Sequence, residues 1–316
     1  MTDYAMSPED VVRALHMYLL DRMPDPAEVD IATAAIRARG DASVALKSIL
    51  DGEEFQERRR MVLRQPRHDA PQLLRKVVFL HNPKAAGVSI GVALQDHLGN
   101  MRISPPIVDT FSRHHRLAGY YQGLRGYDVY TGHIGRDLFE AVNDGHAVVT
   151  NFRKPLPRIL SLYNYYRHRV GANHLDSSTP AARMNHACAI AAHTLDFDDF
   201  VRCDNPFVRL YISDFHYRQL THSPWEPPLP GVTLADACAF VDRMTCIYVC
   251  EEPGRSERLF RERLGIERIG RENVGDRSAE VLRASDVSPS TVKLVAELNQ
   301  RDQALYDHAL NWLAHT

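Results

Sequence analysis

Lysine is scarce in this chain. Of its 38 basic residues only five are lysines (Lys47, Lys76, Lys84, Lys154 and Lys293) and the rest are arginines, so a lysine at a special position carries more information than usual. Charge of one sign is also missing. The 38 Lys and Arg stand against 40 Asp and Glu, a net charge of -2, which gives no overall positive field for a nucleic acid. Any anion site must be local. The five cysteines (Cys188, Cys203, Cys238, Cys246, Cys250) are odd in number and lack the paired CxxC spacing of a zinc site. They read as buried thiols in a reducing compartment, with no metal expected. No long uncharged run is present either. The stretch MTDYAMSPEDVVRALHMYLLDR carries acidic residues among its apolar ones, unlike a secretory signal or a transmembrane anchor, so the expected location is cytoplasmic. Repeats and low-complexity tracts are absent, and 44% hydrophobic with 25% charged residues is the composition of a globular chain with a sizeable core.

A length of 316 residues suits one large domain or a domain plus a smaller module. Residues 7 to about 62 read as helical. Ser7 before Pro8 forms an N-cap with proline in the first turn, and Val11, Ala14, Leu15, Tyr18 and Leu19 repeat at helical spacing. MPDP (23–26) breaks that helix, Gly40 stops a second, Asp41 caps a third and GEEF (52–55) opens a fourth. The expected organisation is a helical module over 1–65, a linker rich in proline and charge over 66–75, and a larger domain over 76–316.

From Lys76 onward short apolar runs alternate with helical patterns. KVVFL (76–80), YDVYTGH (127–133), HAVVTNF (146–152) and CIYVCEE (246–252) have the length and β-branched content of parallel strands buried on both faces. Helices are expected at about 88–97, near 136–142 and as one long terminal helix at about 289–312. The fold class is therefore α/β with a central parallel sheet.

The strongest chemical signal is FLHNPKAAGVSIGVAL (79–94), where a buried strand passes through a tight Pro-Lys-small-small-Gly turn into a helix. In an open parallel sheet ligands bind at the carboxyl ends of the strands, and a helix N-terminus offers free N–H groups and positive dipole to an anion. Ala85, Ala86 and Gly87 allow close backbone approach, Ser89 adds a hydroxyl and Lys84 a mobile charge. It is not the nucleotide-hydrolase loop, because GxxxxGK[ST] is absent and the lysine precedes the glycine. Alone, such a turn is also what an ordinary βα connection with a surface lysine looks like. A second element supports the anion site: HAVVTNFRKPLPRILSLYNYYRHR (146–169) is a buried strand running into a helix opened by proline, with Arg153 at the strand exit and Ser161 eight residues on. Arg153 can fork onto a second phosphate.

At these residues the chain resembles the carbohydrate sulfotransferases. HNPKAAGVS is similar to their HIPKTAGTS 5′-phosphosulfate loop, TNFRKPLPRILSLYNYY to their RDPxxRxxSxYxY 3′-phosphate segment, TGHIGRDLF (131–139) to their GHxxxxLF turn, and RENVG with the downstream QALYDHAL to their NVS tail. DNPFVRLYI (204–212) falls where the family often carries a helix with Asn and Arg. The likeness spans about 76–312. It implies a P-loop-like sulfotransferase architecture and transfer of a sulfuryl group from 3′-phosphoadenosine 5′-phosphosulfate (PAPS) to a hydroxyl of a carbohydrate or glycolipid acceptor, releasing 3′-phosphoadenosine 5′-phosphate (PAP). By the same resemblance Lys84 touches the bridging oxygen, and Ala85, Ala86, Gly87, Val88 and Ser89 hold the 5′-phosphate. Arg153 and Ser161 grip the 3′-phosphate, and Asn273 with Arg271 closes over the donor. The helical stretch LLDRMPDP…GEEF is similar to a small module found beside bacterial glycan-modifying enzymes.

The candidate general base is His133, which follows a strand in the GH turn and titrates near working pH. His81 and an unassigned carboxylate are the alternatives. The chain departs from the family pattern at Ala85 and Val88, which replace hydroxyl-bearing residues and leave the loop to its backbone N–H groups, and at Lys154, which replaces an aspartate. SRHHR (112–116) and YYRHR (165–169) read either as acceptor-binding groups or as a solvated basic face. Two other functions are open to the same residues: a nucleotide- or glycan-binding module without transfer, and an ATP-dependent kinase-like enzyme. No nucleic-acid partner is expected.

Overall fold

A computed structural model of the chain describes residues 7–20, 22–64, 76–98, 102–104, 124–168, 180–270 and 281–316. Its centre is built from four apolar runs. β1 (Val77–Leu80), β2 (Val129–Gly132), β3 (Ala147–Phe152) and β4 (Cys246–Val249) form one sheet in the order β2-β1-β3-β4, and all three pairings are parallel. β1 and β4 are buried at every position. Strands covered on both faces need no polar alternation, which is why these segments read as continuous apolar runs. Val77 pairs with Val129 on one side and Ala147 on the other.

Each strand runs into a helix. α5 (Gly87–Leu98) follows β1, α6 (Arg136–Val142) follows β2, α7 (Pro155–His168) follows β3 and α13 (Pro253–Leu264) follows β4. Because the strands are parallel, all four exits lie along one edge of the sheet. The chain is therefore mainly helical around a small parallel sheet, an α/β arrangement.

Ahead of the sheet come α1 (Pro8–Leu20), α2 (Pro26–Arg39), α3 (Ser43–Asp51) and α4 (Glu53–Arg64). Their ends follow the capping chemistry of the sequence. Ser7 Oγ accepts from Asp10 N–H at 3.2 Å, Asp25 and Glu28 form a capping box on α2, and Gly40, at φ 67°, ends that helix. Asp41 Oδ1 accepts from Ser43 N–H at 2.9 Å. The buried residues Val12, Leu15, Leu46 and Phe55 belong to the same apolar cluster as Val78, Phe79, Val149 and Ile247 of the sheet. Arg59 Nη2 donates to the Arg125 carbonyl across this junction at 3.1 Å.

A second apolar cluster lies against α7. It gathers Ile159 and Tyr163 of α7 with residues from α8 (Pro180–Thr194), α9 (Phe197–Arg202), α10 (Pro206–Ile212) and α11 (Phe215–Thr221). Arg158, fully buried between the two clusters, donates to the Tyr211 carbonyl at 2.9 Å and lies 3.8 Å from Asp302. Asp302 in turn accepts from the N–H groups of His216 and Tyr217 at the start of α11. After α12 (Leu234–Asp242) and β4 the chain ends in two helices, α14 (Pro289–Leu298) and α15 (Gln300–His315), where the sequence pattern predicts one. The break is Asn299. It is fully buried, its Nδ2 donates to the carbonyls of Ile212 (2.8 Å) and Val295 (2.9 Å), and its Oδ1 accepts from Asp214 N–H at 3.2 Å. Tertiary partners override the local helical pattern there. Among the described residues no helix is long and apolar enough to cross a membrane.

Candidate functional site

The turn after β1 is unusual backbone. Lys84 and Ala86 have φ of 62° and 66°, the left-handed region, whereas Ala85 between them does not. Such alternation turns successive N–H groups toward one side and makes a concavity suited to an anion. Non-glycine residues held there are strained, and strain of this kind concentrates at ligand sites. At Gly87 a Cβ would lie 1.8 Å from His81 Nε2, so only glycine fits. α5 begins at that glycine. Its first N–H groups have no acceptor within the helix, and its positive end faces the turn.

A strand side chain holds this turn in place. Asn151 of β3 is fully buried; its Nδ2 donates to the carbonyls of Asn82 (3.0 Å) and Ala85 (2.5 Å), and its Oδ1 accepts from Asn82 N–H at 2.7 Å. Two residues on, Arg153 Nη1 donates to the Lys84 carbonyl at 3.0 Å. The neighbouring exits of β1 and β3 are thereby tied together, the Arg153 guanidinium reaching the main chain of Lys84. At the β4 exit burial pushes the Cys250 thiol up to about 12, with Arg153 opposing, so that sulfur stays neutral. The Lys154 side chain is exposed while its N–H donates to Glu251 Oε1 at 3.1 Å.

α7 supplies the next wall. Ser161 and Tyr165 are four residues apart and share a face of the helix. Lys84 Nζ lies 3.9 Å from the centroid of the Tyr165 ring, so this face is turned toward the lysine and carries Ser161 with it.

The β2 exit brings His133. Its Nδ1 is 2.8 Å from the His81 carbonyl, and since a carbonyl only accepts, Nδ1 bears the proton and Nε2 keeps its lone pair. The two imidazoles stand 4.5 Å apart, centroid to centroid. Gln219 of α11 donates to the carbonyls of His81 (3.2 Å) and Ile134 (2.8 Å), and Trp225 Nε1 donates to the His133 carbonyl at 2.9 Å. Burial pushes His133 down to about 4, the bond to the His81 carbonyl opposing and the Lys84 charge assisting. This corrects the expectation of a group titrating near neutral pH. His81 is also held well below its ordinary value, by burial first and then by His133 and Lys84. Its ring stacks on Phe79 and fills the space beside Gly87.

Arg153 and the Lys84 turn are thus joined at one edge of the sheet, with Ser161 on the helix face that also carries Tyr165 and with His133 at the adjoining exit. Ala85 is fully buried and contributes its backbone. Ala86 is partly buried, Ser89 is buried and Val88 is 48% exposed. Asn273, Arg271 and the 112–116 cluster lie outside the described residues. Asn151, Gln219 and Trp225 escaped the sequence reading. For Asn151 there is a signal, a polar pair at Thr150 and Asn151 inside an otherwise apolar strand. Gln219 and Trp225 stand far from the motifs and carry none. Compared with known proteins, the chain matches no family model and no curated protein.

Proposed function

We propose that this protein is a sulfotransferase, moving a sulfuryl group from PAPS to a hydroxyl of a carbohydrate or glycolipid. The observation that carries the reading is the bond from Arg153 to the Lys84 carbonyl at 3.0 Å, which sets two cations at adjacent strand exits beside a left-handed turn. In this reading the fold is the P-loop-like sulfotransferase architecture. The turn N–H groups from Ala85 to Ser89 and the start of α5 receive the 5′-phosphosulfate, and Lys84 offsets the charge that grows on the departing 5′-phosphate. The remaining N–H groups of Arg153, with Ser161, take the 3′-phosphate, and Asn273 closes over the donor. The acceptor hydroxyl gives its proton to His133 Nε2 while its oxygen bonds to sulfur. The bond from sulfur to the 5′-phosphate oxygen breaks, leaving PAP. α1–α4 fit the accessory helical module of bacterial glycan-modifying enzymes, and the enzyme acts in the cytoplasm.

The departures at Ala85 and Val88 matter less than hydroxyl counting suggests. An anion in a concavity of N–H groups at a helix start is bound mainly by the main chain. PAP should raise the melting temperature and ATP should not. Equal stabilisation by both favours a kinase-like enzyme, and stabilisation without sulfate appearing on any glycan favours a silent binding module. Lys84→Ala should lower turnover by at least about a hundredfold, the loss that follows removal of one transition-state charge contact. Arg153→Ala should act mainly on the KM for donor, and an unaltered KM would take the 3′-phosphate away from it.

A further inference from the structure

The main chain of Lys84 is fixed twice, by its left-handed φ of 62° and by the bond its carbonyl accepts from Arg153. Its ammonium is carried beyond that fixed main chain on a flexible four-carbon stem. In the structure the ammonium sits 3.9 Å above the ring of Tyr165, which is 41% exposed at the rim of the turn. Ser161 stands one helical turn before Tyr165 on the same face of α7. An aromatic face attracts a cation through its quadrupole, and at a solvent-exposed ring this is worth roughly two- to fivefold in an equilibrium. A phosphate dianion in a cradle of N–H groups attracts it far more strongly.

We infer that Tyr165 is a positioning residue for Lys84, a resting dock from which the 5′ anion of the donor draws the ammonium. The inference rests on the proposed donor site. It gives the ring a definite energetic sign: the contact between Lys84 and Tyr165 belongs to the unliganded protein and is surrendered on binding, so it subtracts from donor affinity. A ring that merely supported the cradle would add to it. The phenol oxygen plays no part in the docking, so phenylalanine should replace tyrosine here and leucine should not.

The scarcity of lysine makes the inference testable without an activity assay. Reductive methylation of the full chain with 13C-formaldehyde yields one dimethyl signal from each of the five lysines, and Lys84→Arg assigns the one from Lys84. The ring current should displace that signal upfield of the others in the native protein and in Tyr165→Phe, and the displacement should vanish in Tyr165→Leu. Saturating PAP should move the native signal back downfield. By calorimetry on unmodified protein, Tyr165→Leu should bind PAP about two- to fivefold more tightly than the native chain, and Tyr165→Phe should bind it equally.

An undisplaced Lys84 signal in the free protein overturns the dock. A displacement that persists at saturating PAP, or weaker binding by Tyr165→Leu, overturns the exchange and leaves the donor site standing. Absence of any PAP binding overturns the donor site and the exchange with it, and the phenylalanine and leucine variants still decide whether Lys84 rests on the ring.

Discussion

His133 holds its proton on Nδ1, and its Nε2 lone pair stays available over the whole range in which the ring is neutral. With its titration pushed down to about 4 from an ordinary 6.5, that range extends well into acid. If His133 accepts the acceptor proton, the acid limb of kcat/KM, which reports the free enzyme, lies near 4. A limb near 6.5 would remove His133 from that role. Lys84 and Arg153 were legible in the sequence because each stands where an apolar run stops abruptly. Asn151 is marked in the sequence only as one of two polar residues inside such a run, and its partners lie in a turn distant along the chain. Tyr165 opens the basic cluster at 165–169; its contact with Lys84 depends on the tilt of α7, which no spacing encodes.

Among the secondary-structure elements, the strands and the helices that follow them were readable from VVFL, VYTG, AVVTNF and CIYV, because double-sided burial leaves an unbroken apolar signature. The junction of α14 and α15 was not. Asn299 breaks the helix by serving Ile212 and Asp214, residues that nothing in the terminal segment announces. Asn299→Ala leaves those groups buried without their partner, at a cost of about 1–3 kcal/mol for each orphan. The expected outcome is a lower urea midpoint with unchanged far-ultraviolet circular dichroism; a variant as stable as the parent would mean that the break does not depend on this side chain.

For the molecule as a whole, buried imidazoles set how stability responds to acid. Burial lowers His133 to about 4 and His216 to about 3, with Arg158 adding to the latter. In the unfolded chain both return to 6.5. Their folded values are depressed, so their contribution is fully present above 6.5. As pH falls, the unfolded state takes up protons that the folded state refuses. Stability drops by about 1.4 kcal/mol per pH unit for each such ring until the folded values are reached. Urea denaturation between about pH 7 and about pH 5 should show this decline, and His216→Gln should make it shallower. An unchanged slope would mean that His216 titrates alike in the folded and unfolded chains. What the sequence withheld at this scale is continuity. Periodicity reveals that α1–α4 have apolar faces, yet it cannot say that those faces join the cluster beneath the sheet.

The strand order has a consequence for how the chain is made. Val77 finds its partners at Val129 and Ala147, and Val149 waits for Cys246; no hairpin links any pair. On the ribosome, α1–α4 can gather from contacts close in sequence while β1 has nothing to pair with. The turn that bears Lys84 leaves the exit tunnel long before Asn151 arrives to fasten it. The left-handed turn at Lys84 and Ala86 is therefore completed only once the strand that carries Asn151, far downstream of it, has been made.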